Sequence, residues 1–114
     1  MKILPDTQAW LWMQASPDRF SIEARTLIQD ATSELYLSVA SSWEIAIKYA
    51  LGRLALPVPP TQYVPSRMEI SGVAPLPIQQ AHALHVSELP LHHRDPFDRL
   101  LVAQAAREAH RSDF

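Results

Sequence analysis

A chain of 114 residues has the size of one compact domain, enough for a single core but not for two. Apolar residues at 47% and charged residues at 19% exclude disorder and a coiled coil, and the lack of any cysteine excludes disulfides, thiolate zinc sites and thiol nucleophiles. A formal charge of -2 advertises no general affinity for nucleic acid, and two glycines are too few for a Gly-rich phosphate loop.

Lys2-Ile3-Leu4 is a short apolar run that predicts a first strand, ended at Asp6-Thr7, and Ala9-Trp10-Leu11-Trp12-Met13 opens a helix. Ser16-Pro17-Asp18 interrupts that helix. Ile22, Ala24, Leu27 and Ile28 then recur at helical spacing between Ser21, which suits an N-cap, and Asp30. Glu34 to Val39 is rich in β-formers and predicts a second strand. It runs straight into a helix in which Ser41 and Glu44 have the spacing of a capping box and Gly52 has the place of a C′ glycine.

Leu56-Pro57-Val58-Pro59-Pro60 is a stiff connection. The segment 61–71 is helical in character but contains Pro65, which predicts a kink there or a regular helix starting only after it. Val73 to Pro77 predicts a short edge strand, because its prolines would leave ladder bonds unmade inside a sheet. Ile78 to Leu89 reads as a helix and His92-His93-Arg94-Asp95 as a polar loop. Pro96 to Ala109 reads as the last helix, with Asp95 as its N-cap and Phe97, Leu101 and Ala105 along one stripe. Strands alternating with helices predict an α/β fold with a parallel sheet covered on its faces. No apolar run approaches the roughly 18 residues of a membrane span, and the N-terminus lacks the layout of a secretion signal, so the expected location is cytoplasmic.

In open α/β sheets, sites form beyond the carboxyl ends of the strands. Asp6 and Glu44 lie where the two predicted strands give way to helices, and Asp98 lies in the first turn of the last helix. Carboxylates gathered at one edge repel unless a cation stands between them, and hard oxygen donors without cysteine suit Mg²⁺ or Mn²⁺. Such a centre serves phosphodiester hydrolysis. A plainer reading stands beside this one for each residue: Asp6 caps a helix, Glu44 completes the capping box with Ser41, and Asp98 favours the helix dipole. Asp95 takes a supporting role as N-cap, Thr7 orients Asp6 or a ligand water or else caps the helix, and Lys48 pairs with Glu44 one turn away. Trp10, Trp12 and Trp43 read as core and interface aromatics. His92, His93, Arg94 and Arg99 make a local basic edge suited to an RNA backbone, or simply to water. A zinc site at His82 and His85 lacks any recognised ligand spacing.

Three segments in order, Lys2 to Thr7, Ser41 to Lys48 as Ser-Ser-Trp-Glu-Ile-Ala-Ile-Lys, and His92 to Gln104 as His-His-Arg-Asp-Pro-Phe-Asp-Arg-Leu-Leu-Val-Ala-Gln, resemble PIN domains of the VapC toxin type. The resemblance implies a PIN-like three-layer sandwich, with a short parallel central sheet flanked by helices, over residues 1–109 and a short tail at 110–114. It implies a Mg²⁺- or Mn²⁺-dependent endoribonuclease, the toxin of a prokaryotic type II toxin-antitoxin system, acting on structured RNA such as transfer RNA. The family's metal ligands and catalytic acids fall on Asp6, Glu44 and Asp98. Its usual partners are a VapB-like antitoxin and a second copy in a homodimer.

Three departures from the family pattern carry expectations of their own. Pro5 precedes Asp6 where a ladder N–H belongs, which predicts a bulge or shift at the strand end. Gln8 stands where many relatives carry His. The sequence stops at His110-Arg111-Ser112-Asp113-Phe114, where the family continues into another strand and a further acidic residue. The expectation is a C-terminally incomplete fold with impaired activity, and the alternative function is a truncated, non-catalytic module that binds a VapB-like antitoxin. A phosphoacceptor signalling domain also carries acids at strand ends, but the five-fold strand–helix alternation it needs is missing.

Overall fold

A computed structural model describes residues 1–90, 95–108 and 110. Its centre is one parallel sheet of three strands, β1 (Lys2–Ile3), β2 (Glu34–Ser38) and β3 (Ala74–Leu76), in the order β1-β2-β3. Lys2 and Ile3 pair with Glu34 and Leu35, and Tyr36, Leu37 and Ser38 pair with Ala74, Pro75 and Leu76. Parallel neighbours need long crossovers. Helices α1 (Thr7–Ala15) and α2 (Ile22–Gln29) lie between β1 and β2, and α3 (Val39–Ala50) and α4 (Pro60–Ser71) between β2 and β3. Helix α5 (Gln80–His85), a 3₁₀ turn at Val86–Glu88 and helix α6 (Pro96–Glu108) follow.

Side chains on β2 alternate between two cores, as the two-residue period of a strand requires. Leu37 joins Trp10, Ile45, Val64 and Val73 on one face, and Tyr36 packs with Leu4, Leu76, Leu101 and Ala105 on the other. The sheet is therefore covered on both sides, with α1, α3 and α4 against one and α6 against the other. This is the α/β sandwich that the alternating pattern predicts. Trp10, Leu37 and Ile45 are buried to within 1% of completely, and each such side chain contributes about 1.5–3 kcal/mol relative to an exposed one.

Several boundaries differ from the sequence expectation. Helix α3 starts before Ser41, at Val39, with Ser38 as its N-cap, its hydroxyl accepting from the Ala40 N–H at 3.0 Å. Ser41 and Glu44 therefore lie inside the helix, and no capping box joins them. Helix α4 starts at Pro60 and runs through Pro65. Pro60 costs nothing at N1, and Pro65 withdraws a single donor, the one the Thr61 carbonyl would receive. The stretch from Ile78 to Leu89 holds only the six residues of α5 and the 3₁₀ turn. Pro5 lies beyond the end of β1, so its missing N–H disturbs no ladder bond. The polar loop at 92–94, the expected helix end at Ala109 and the tail beyond His110 lie outside the described residues.

Candidate active site

Because the strands are parallel, β1 and β2 end at the same edge of the sheet. Leu4 and Pro5 carry the chain from β1 to Asp6, while β2 passes directly into α3, whose second turn holds Glu44. Asp98 comes from the first turn of α6. These three carboxylates and that of Asp95 line one cleft of about 360 Å³, together with the cations of Lys48 and Arg53. The ring of Trp43, beside Glu44, meets the ring of Phe97, beside Asp98, edge to face at 5.3 Å, and so fixes α6 against α3 where the cleft forms.

Asp6 is half-buried and caps α1, its Oδ1 accepting from the Ala9 N–H at 2.7 Å. Capping and lining the cleft are thus both true of this residue. Glu44 is only 7% exposed. Its Oε1 accepts from the Thr7 hydroxyl at 2.6 Å and its Oε2 from the Lys48 ammonium at 2.5 Å. Thr7, expected to orient Asp6, a ligand water or its own helix, instead fastens Glu44. The hydrogen bond to Glu44 holds the Lys48 ammonium above its ordinary pKa against a smaller opposing effect of burial, and the charges of Glu44, Asp95 and Asp98 add to it. Asp95 caps α6 as its spacing predicts, its Oδ1 accepting from the N–H groups of Phe97 at 2.8 Å and Asp98 at 3.2 Å.

Among the described residues, no three acidic or imidazole side chains converge tightly enough to enclose an ion as they stand. Their chemistry still fits one class of metal. The acidic groups lining the cleft are carboxylates, the donors that hard Mg²⁺ or Mn²⁺ prefers, and no sulfur-bearing side chain lines it among the described residues.

Arg53 is a charged cleft residue that no sequence pattern singled out. The signal for its place was Gly52, whose φ of +71° lets α3 end in a Schellman turn. The Gly52 N–H donates to the Tyr49 carbonyl at 3.0 Å and the Arg53 N–H to the Lys48 carbonyl at 2.8 Å, which folds Arg53 back beside Lys48. Gln104 was quoted only as part of a motif. It is fully buried, accepts from the Ser38 hydroxyl and donates to the Pro77 carbonyl at 3.3 Å, so one amide ties α6 to the ends of β2 and β3.

The remaining candidates fall elsewhere. Arg99 spends its guanidinium on the carbonyls of Val86 at 2.8 Å and Pro90 at 3.1 Å, so it braces α6 rather than simply extending a basic edge. His92, His93 and Arg94 lie outside the described residues. His82 faces Glu108 at 2.8 Å and His85 faces Glu88 at 3.0 Å, so the two imidazoles have separate carboxylates and share no site. Trp10 is core, whereas Trp43 is 58% exposed and meets only one side of Phe97.

Comparison with known proteins agrees with this α/β fold. A family model described as the PIN domain matches residues 3–111. A curated relative, Ribonuclease VapC16 of Mycobacterium tuberculosis, is 48% identical over 63 residues. That stretch covers 55% of this chain and 45% of the relative, so the match spans a little under half of the relative's length.

Proposed function

Since this chain belongs to the PIN domain family, we propose that it is a divalent-metal-dependent endoribonuclease, the toxin of a VapC-type toxin-antitoxin pair. The observation that carries the reading is the shared cleft: acidic side chains from the end of β1, from α3 and from α6 line one cavity at the carboxyl edge of the sheet. A relative named as a ribonuclease over a matched stretch supports the substrate class.

Asp6, Glu44 and Asp98 are the residues that would hold Mg²⁺ or Mn²⁺. When bound, such an ion lowers the pKa of a water nucleophile and neutralises charge on a phosphodiester. The chain's own residues do the rest. Thr7 fixes the rotamer of Glu44, Asp95 holds the first turn of α6 and with it Asp98, and Arg53 brings positive charge to the rim where an RNA backbone would pass. A VapB-like antitoxin and a second copy of the chain are the partners that this family reading brings with it.

Incubating the protein with transfer RNA and Mn²⁺, beside an Asp6→Asn variant, tests the proposal. Cleavage by the parent that is lost in the variant supports it. Absence of cleavage by the parent, with VapB-like antitoxin binding retained, would favour a non-catalytic binding module.

A further inference from the structure

Four carboxylates facing one small cleft cannot stand uncompensated, and the compensation is built unevenly. Glu44 is the most buried of them, with its side chain 9% exposed, and both of its oxygens are engaged, one by Thr7 at 2.6 Å and one by Lys48 at 2.5 Å. The Lys48 side chain is 50% exposed. The pair is therefore asymmetric: Glu44 cannot turn away without breaking the buried Thr7 bond, whereas the lysine stem can swing into solvent at little cost in burial.

Resting on the metal-site reading above, we propose that Lys48 is the cleft's built-in counter-ion: its ammonium holds Glu44 where a divalent cation would, and must release it for the cation to bind. Two cations sharing one carboxylate in a partly buried cleft repel strongly, because the field there is screened less than in bulk water. Asp95 and Asp98 line the same cleft as Lys48, so the ammonium faces the whole acidic group and not only its helical neighbour. An ordinary solvated pair one turn apart would have both partners exposed, and would have no bearing on an ion beside it.

The test is Mn²⁺ binding to the full chain by titration calorimetry, with melting temperatures in chelator and in excess Mn²⁺. Lys48→Met removes the charge and keeps the stem, Lys48→Gln is a second neutral variant should the first be insoluble, and Lys48→Arg keeps the charge. The neutral variants should bind Mn²⁺ roughly three- to tenfold more tightly than the parent, with Lys48→Arg close to the parent. They should melt lower in chelator and gain more from Mn²⁺. Equal or weaker binding by the neutral variants overturns the role of Lys48. If the parent then still binds Mn²⁺ and Asp6→Asn does not, the metal site itself stands. Should neither the parent nor the neutral variants take up Mn²⁺, both readings fall together.

Discussion

Asp6 shows how one side chain serves two purposes that can be separated by substitution. Asn is as good an N-cap as Asp, whereas Ala is not. Asp6→Asn should keep the α1 cap and the melting temperature but lower RNA cleavage at least about a hundredfold, while Asp6→Ala should also lose about 0.5–2 kcal/mol of stability. Paired activity assays and urea titrations check this; equal destabilisation by the two variants would leave Asp6 a charge-dependent structural residue. The Thr7 hydroxyl donates to a buried carboxylate, so Thr7→Val should cost about 1–3 kcal/mol, read from the same titrations. At this scale Asp6 and Asp98 stood out as candidates because acids at a strand end and in a first turn are visible in one dimension, whereas Glu44, read in a first turn, stands in the second turn of α3. The bond from Thr7 to Glu44 was not legible, because it crosses between two helices and no local spacing encodes it.

Between elements, the decisive contact is the Ser38 hydroxyl, which starts α3 and grips Gln104 of α6. Removing it withdraws a cap and leaves a buried amide oxygen without its donor. Ser38→Ala should therefore cost about 2–4 kcal/mol, and cleavage should fall further than stability alone accounts for, because Asp98 is carried on the helix that Gln104 anchors. An unchanged denaturation midpoint would refute the link. The strands and most helices were readable from period and punctuation. The start of α3 was not: Val39 reads as a strand residue by propensity, yet the chain turns helical there because a good N-cap precedes it and the core needs Ala40 inside. Pro65 misled in the same way, since a helix already nucleated at Pro60 loses only one bond by passing through it.

Across the molecule, His110 closes the second core by stacking on Tyr36 with ring centroids 4.7 Å apart. Burial, and secondarily the charge of Lys2, pushes its imidazole below the ordinary value of 6.5. The folded protein consequently holds fewer protons there than the unfolded chain. Stability from this residue is complete above pH 6.5 and is lost as pH falls through the lowered value. The difference in melting temperature between the parent and His110→Gln should shrink on acidification from pH 7 to 5, and a constant difference would assign the effect elsewhere. The α/β architecture followed from the order of strands and helices alone. Which residues line the cleft together did not, because it depends on both faces of the sheet being packed at once.

The cleft draws on positions 6, 44, 95 and 98, so its last two acids come with α6, one in its first turn and one as its cap. A polypeptide still threading out of the ribosome thus holds Asp6 and Glu44, two of the three proposed ligands, without Asp98 until α6 has been made. Any ion the cleft takes up must therefore wait for α6, and an activity that depends on it can begin only once that helix has emerged and docked.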